Sequence, residues 1–226
     1  MLQAVIFDVD GTLAETEDVH RRAFNRAFAQ AGLKWHWDEA LYRRLLKVTG
    51  GKERIAYFLE VAALPAKSAP DIAALHKAKT AIYTSMIDGG EIELRPGIAD
   101  FLAAARAQGL KLAIATTTSL PNIEALLTAT MSASWREVFP VVAAGDSVAN
   151  KKPAPDVYLL ALRALGLPAD ACVAVEDSRN GVLSAKGAGL RVIAVRSDNC
   201  RDDDLSGADV VLEDCRGLTM EVLAGF

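Results

Sequence analysis

The sequence predicts an α/β fold: a doubly wound parallel sheet with a small α-helical domain inserted after its first strand. Three observations carry that prediction. Short apolar runs of strand length alternate with helical-period segments from Arg95 to the C terminus. One more apolar run, LQAVIF at 2–7, stands apart near the N terminus. The stretch of about 15–90 between them has helical period and no strand signal. Strands alternating with helices make a parallel sheet covered on both faces. The expected division is therefore a core domain of 1–14 and 95–226 and a helical domain of 15–94, with hinges near 13–16 and 90–96.

Each element has its own warrant. LQAVIF is short, apolar and followed by a Gly turn, as a buried strand should be. Over 17–31, Val19, Ala23, Phe24, Ala27, Phe28 and Ala31 fall on one helical stripe, and Gly32 is placed to cap its C terminus. Helical patterns follow at 38–47, 52–63 and 69–88, with Ser68 and Pro70 at the start of the last. After Arg95-Pro96-Gly97 the rhythm changes to helix 98–108, strand 111–117, helix 121–131, strand 139–144, helix 155–165, strand 171–177, helix 179–188 and strand 191–196. A short strand at 209–212 and a terminal helix complete the chain.

Composition narrows the function. About half of the 226 residues are hydrophobic, enough for a sizeable core, and the net charge of −4 with no basic stripe argues against nucleic acid as a partner. No run is long and apolar enough to span a bilayer, so no membrane partner is expected. The first strand begins almost at Met1, leaving no room for a targeting peptide, and a cytoplasmic location is expected. Cys172, Cys200 and Cys215 are odd in number and fit no metal spacing; free thiols are expected. Neither domain shows a spare apolar helix face, so a monomer is expected.

In an open parallel sheet, ligands bind outside the carboxyl ends of the strands. The polar residues gather there: Asp8 and Asp10 after the first strand, Thr116 to Ser119 after the second, Lys151 and Lys152 after the third, Glu176 and Asp177 after the fourth. Residues i and i+2 of an extended chain share a side. Two carboxylates ~5 Å apart repel by roughly 3 kcal/mol at an effective dielectric near 20. Either some of these acids are protonated or a cation joins them. The donors on offer are oxygens, without a Cys-His cluster, which favours a hard ion, Mg²⁺, over zinc. Thr116 and Lys152 suit a phosphate, through a hydroxyl donor and a neutralising charge. Metal, fixed cation and donors around one point describe a phosphoryl-transfer site. An aspartate, ionised at neutral pH with a pKa of about 3.9, can attack without an activating base, and a second can handle the leaving-group proton.

The motifs FDVDGT, the threonine ending the second strand, Lys152-Pro153 and VEDSRNG together resemble the four motifs of the haloacid dehalogenase superfamily, in order along the whole core. The helical insertion resembles that family's small α-helical cap on a Rossmann-like core. GTLAETEDVHRRAFN, VTGGKERI and KKPAPDVY are similar to the beta-phosphoglucomutase-like and CbbY-like sugar-phosphate phosphatases. The resemblance implies Asp8 as nucleophile forming an aspartyl-phosphate and Asp10 as acid, then base. It implies Mg²⁺ held by Asp8, the Asp10 carbonyl and Asp177, with Glu176 direct or one layer out. Thr116, the Thr117 amide and Lys152 would hold the phosphoryl group, and Gly11 and Thr12 would shape the turn after the nucleophile.

Substrate choice would rest with the helical domain. Glu17 and His20 lie one turn apart and share a face. Thr49, Gly50 and Gly51 form a Gly-rich turn before Lys52 and Arg54, a place that favours an anion. Lys79 is a further candidate cation. CbbY-like enzymes act on xylulose-1,5-bisphosphate, a misfire inhibitor of Rubisco in the Calvin cycle, and release its 1-phosphate; the resemblance makes it the leading substrate. A phosphomutase is the alternative. A dehalogenase is disfavoured by Asp10, and a non-catalytic binding module by the four intact motifs. One departure stands out: relatives often carry Asp-Ser-Glu where this chain has Glu15-Thr16-Glu17. His36 and His76 read as structural or surface residues, Trp35, Trp37 and Trp135 as packing residues, and Lys151 as solvated. Helical spacing leaves Tyr42 open between core and cleft.

Overall fold

The computed structural model describes residues 1–63, 70–90 and 92–226. Its first strand, β1 (Ala4–Phe7), is followed by four helices: α1 (Glu17–Gln30), α2 (Glu39–Leu45), α3 (Gly51–Val61) and α4 (Ile72–Asp88). Then come α5 (Ile98–Ala107), β2 (Lys111–Ala115), α6 (Leu120–Met131), the short α7 (Trp135–Val138) and β3 (Val141–Ala143). The rest runs α8 (Asp156–Leu165), β4 (Cys172–Glu176), α9 (Arg179–Gly187), β5 (Arg191–Val195), β6 (Val210–Leu212) and α10 (Met220–Leu223).

The six strands form one parallel sheet in the order β3-β2-β1-β4-β5-β6. Alternation along each strand divides the core. Val5, Phe7, Ile114, Val173 and Ile193 meet Phe101 of α5, Ile123 and Leu126 of α6 and Leu223 of α10. The residues between them, Ala4, Ala113, Ala115, Ala174 and Ala194, meet Tyr158 and Ala161 of α8 and Val182 and Ala185 of α9. With Ile6, Cys172 and Val192 these alanines make a face on which alanine predominates, against a bulkier one opposite, so α8 and α9 seat close to the sheet. Phe7 sits at the centre, edge-on to Phe101 and Phe139 at 6.0 Å.

The helices α1 to α4 carry apolar clusters of their own. Phe24, Phe28, Trp37, Tyr42, Ile55 and Phe58 form one, with Trp37 edge-on to Phe28 at 4.8 Å. Val19, Ala23, Tyr83, Met86 and Ile87 form the other, against which Ala125 of α6 also packs. Trp35 is half-buried and Trp135 buried, as packing residues should be.

Several boundaries differ from expectation. β2 and β4 stop at Ala115 and Glu176, because the polar residues that follow turn out over the sheet rim. Phe139 belongs to the end of the short α7, so β3 begins only at Val141. α4 starts at Ile72, capped by the Asp71 carboxylate, which accepts from the Ala74 amide at 3.0 Å; Ser68 lies outside the described residues. α1 ends as expected: Gly32 takes φ +70°, and the Leu33 amide bonds back to the Phe28 carbonyl at 2.9 Å. The three cysteines are free thiols. Among the described residues no helix is long and apolar enough to cross a membrane.

Candidate active site

The carboxyl ends of β1, β2 and β4 face the helical insert across a cleft of about 110 Å³. Asp8 leaves β1 still in register, its amide bonded to the Val175 carbonyl at 3.0 Å, and its side chain is buried beside two others. Asp8, Glu176 and Asp177 each offer a carboxylate oxygen, all within 4.8 Å of one another. The turn that permits this depends on Gly11, at φ +78°, where a Cβ would stand 2.1 Å from Asp177 Oδ2. Gly181 does the same for Glu176: a Cβ there would lie 1.9 Å from Oε2.

One cation serves two of these acids. Lys152 Nζ donates to Asp8 Oδ1 and to Glu176 Oε1, both at 2.6 Å, and the Tyr158 hydroxyl donates to the same Glu176 oxygen at 2.6 Å. Burial pushes the Asp8 carboxyl up to about 7; Lys152 works against that rise, while Glu176 and Asp10 add to it. Burial also raises Asp177, helped by Asp8 and Glu176. Its Oδ2 accepts from the Ser197 hydroxyl at 2.6 Å, and among the described residues no basic side chain pairs with it. Three crowded acids with one ammonium between two of them form an oxygen-donor set one cation short. That fits a hard divalent ion.

Asp10 lies outside that trio and is held differently. Its Oδ1 accepts from the Thr16 hydroxyl and from His20 Nε2, the latter at 3.1 Å. His20 Nδ1 lies 2.7 Å from Lys79 Nζ, and the ring stacks on Tyr83 at 4.0 Å. Burial lowers both His20 and Lys79, the latter to about 7. The consistent assignment is a neutral imidazole, with Nδ1 accepting from the Lys79 ammonium and Nε2–H donating to Asp10. Burial by itself raises Asp10, but His20 and Thr16 outweigh it and hold the carboxyl down to about 2.

The hydroxyl row completes the core side. Thr116 is buried and its Oγ1 accepts from the Thr118 amide at 3.3 Å, while Thr117 packs so tightly that only glycine fits at 145. Buried Ser119 Oγ and Asn122 Oδ1 have no hydrogen-bond partner among the described residues. Lys151 is not solvated as expected: half-buried, it donates to the Gly145 carbonyl. A loop folding back over it supplies an acceptor that spacing does not reveal.

From the insert, Glu17, His20, Thr49, Gly50, Gly51, Lys52, Arg54 and Lys79 all line the cleft. They are not equally available. Arg54 is buried, donates to the Tyr42 hydroxyl at 2.9 Å and stands 3.9 Å from Glu17. Tyr42 in turn donates to Glu17 at 2.6 Å from the core side, which settles its place behind the cleft. Thr49 Oγ1 donates to the Lys152 carbonyl, and Asn180 Nδ2 to the Lys47 carbonyl at 3.0 Å, so two contacts span the cleft mouth. Lys52 is half-exposed, 3.8 Å from Asp146.

Glu176 is wholly buried under Lys152. One further assignment changes. His76, read as structural or surface, lines the cleft against Gly51, and burial with Lys79 and Lys52 lowers it to about 4. Ser197, Tyr158, Asn122 and Asp146 were missed. Ser197 had a signal, since it follows a fifth strand just as the acids follow theirs.

The model of the haloacid dehalogenase-like hydrolases matches residues 2–189. The chain belongs to that family. Within these hydrolases it is a phosphatase of the CbbY and beta-phosphoglucomutase kind. Protein CbbY of Cereibacter sphaeroides is 54% identical over 218 residues, covering 94% of this chain and 92% of that protein. The crystal structure of CbbY from Rhodobacter sphaeroides in complex with phosphate superposes with a TM-score of 0.91 at 53% identity, covering 96% of each chain. A mutant of that protein, in complex with xylulose-1,5-bisphosphate, superposes equally well at 0.91 and 52% identity.

Proposed function

We propose that this hydrolase is a Mg²⁺-dependent phosphatase that removes the 1-phosphate of a sugar bisphosphate through an aspartyl-phosphate on Asp8, with xylulose-1,5-bisphosphate as the leading substrate. The observation that carries the reading is the buried trio Asp8, Glu176 and Asp177 with Lys152 between two of its members. The core of 1–14 and 95–226 supplies the chemistry, and the cap of 15–94 closes over it.

Asp8 attacks phosphorus and the bond to the sugar oxygen breaks. Lys152 favours the ionised form of the Asp8 carboxylate against the effect of burial and, with Thr116 and the Thr117 amide, receives the phosphoryl oxygens. Asp10 rests ionised; a phosphate dianion beside it counters the pull of His20 and Lys79 and raises its carboxyl. It then gives a proton to the departing oxygen and later takes one from the water that cleaves the acyl phosphate. His20 and Lys79 are the route by which that proton is replaced. Mg²⁺ would be held by Asp8, the Asp10 carbonyl and Asp177 with Glu176 beneath, and would supply charge neutralisation to the phosphoryl oxygens.

A second phosphate suits the cap side. Arg54 and Lys79 are committed to Tyr42 and His20, whereas Lys52, half-exposed and only loosely paired with Asp146 at 3.8 Å, lines the cleft with His76 beside the Gly50-Gly51 turn opening α3. The complex of a 52% identical protein with xylulose-1,5-bisphosphate supports a bisphosphate.

The test is phosphate release across C4 to C6 sugar mono- and bisphosphates, with Mg²⁺ and with chelator. Fastest release from the pentulose bisphosphate, abolished by chelation, is the expected result. An isomerised monophosphate without free phosphate would instead identify a mutase, and undiminished turnover in chelator would refute the metal reading.

A further inference from the structure

Arg95 stands at the second link between core and insert and does not line the cleft, yet it is buried and reaches two segments, 11–15 and the end of β5. One guanidinium nitrogen donates to the Gly11 carbonyl, in the turn directly after Asp8 and Asp10. Another donates to the Arg196 carbonyl, at the end of β5. Nε lies 3.3 Å from Glu15 Oε1, and the Arg95 amide donates to the Leu13 carbonyl at 2.8 Å. Glu15 also accepts from the Asp198 amide at 3.3 Å. Glu15 Oε1 therefore bridges Arg95 and the loop after β5.

The residue between Arg196 and Asp198 is Ser197, whose hydroxyl holds Asp177 Oδ2 at 2.6 Å. Gly11, the other carbonyl that Arg95 grips, is the residue whose missing Cβ leaves room for that same oxygen. Arg95 thus ties together the two loops that bound Asp177, one carrying Asp8 and Asp10 and the other carrying Ser197.

We infer that Arg95, with Glu15, is a positioning residue for the metal site: it fixes the spacing between the Asp8–Asp10 turn and Asp177 and so sets the affinity for Mg²⁺. The inference rests on the metal-dependent reading above. A guanidinium is suited to the task because its planar fork serves several oxygens at once, which an ammonium does not do with the same geometry. Groups that orient metal ligands change metal affinity by about 10- to 100-fold when removed. Arg95 acts one bond further out, so about tenfold is expected.

Mg²⁺ binding by the full chain is measured calorimetrically for the parent, Arg95→Lys, Arg95→Met, Ser197→Ala and the Arg95→Lys/Ser197→Ala double variant. Arg95→Met should weaken Mg²⁺ about tenfold and Arg95→Lys by less, while KM at saturating Mg²⁺ stays within about twofold. If Arg95 works through Ser197, the double variant should fall short of the product of the two single effects. Parent-like Mg²⁺ affinity in a folded Arg95→Met overturns the inference. Should that variant not fold, full multiplication of the Arg95→Lys and Ser197→Ala effects overturns it. A parent chain that takes up no Mg²⁺ sinks the underlying metal reading, which separates the two failures.

Discussion

Lys152→Met keeps the length of the side chain and removes its charge. The parent ammonium lies 2.6 Å from both Asp8 and Glu176, and the three side chains are 3%, 10% and 0% exposed. At an effective dielectric of 20, each contact is a Coulomb attraction of about 6 kcal/mol, most of it offset by the cost of taking the charges out of water. Removing one partner of a buried pair typically costs about 3–5 kcal/mol, because the other charges stay buried. Here the carboxylates have an escape: they take up protons. Burial already pushes Asp8 up to about 7 with Lys152 opposing the rise, and without that ammonium the Asp8 carboxyl rises further. An acid raised in the folded state binds more protons there than when unfolded, so its stability contribution is lost as pH rises through the folded value. The variant's deficit should therefore be largest at pH 8.5, about 3–5 kcal/mol, and shrink toward pH 5. Urea unfolding followed by circular dichroism in chelator at pH 5, 7 and 8.5 reads it directly. A deficit under about 1 kcal/mol at pH 8.5, or one independent of pH, would refute the claim that Lys152 is the counter-charge of this site.

Asp8→Asn should reduce turnover by at least about 10³-fold with an unchanged circular dichroism spectrum, since an amide does not form the acyl phosphate; parent-like rates would remove Asp8 from the chemistry. His76 is lowered to about 4 from 6.5, so its contribution to stability is present above 6.5 and lost as pH falls toward 4, by up to about 3 kcal/mol. His76→Gln should flatten that acid-side loss in thermal melts between those values. Asn180→Ala removes the bond to the Lys47 carbonyl, about 1 kcal/mol of closed-cleft stability, and should raise KM about fivefold in steady-state assays with little change in melting temperature. Gly181→Ala places a methyl against a Glu176 carboxylate pinned by Lys152 and Tyr158. It should cost more than about 2 kcal/mol in denaturant titrations.

Much of this was legible in the chain itself. The strands announced themselves because they are buried on both faces and closed by polar residues, and the same closure put Asp8, Thr116, Lys152 and Asp177 at one rim. What escaped depends on how distant segments fold back. Helical period placed His76 and Tyr42 on helices but not against the cleft or behind it, because the choice rests on how α2 and α4 pack with α1. Lys151 was misread because its acceptor, the Gly145 carbonyl, comes from a turn. Ser197 follows β5 as the acids follow their strands, but in the polar run RSDNCRDDD that signal was passed over among similar neighbours. Asp71 caps α4 with a carboxylate aimed at the Ala74 amide, an alignment that helical period alone does not single out.

The alanine-lined side of the sheet bears on how sequence variation in this protein should be read. Ala4, Ala113, Ala115, Ala174 and Ala194 act as spacers, and what they space are α8 and α9, the carriers of Tyr158 and Gly181. A change such as Ala174→Val, out of reach of any substrate, would lift those helices and loosen their grip on Glu176. Substitutions in this layer should therefore surface in screens as weakened catalysts of ordinary solubility, and engineering the enzyme's pocket without regard to its floor would miss where the tolerance is tightest.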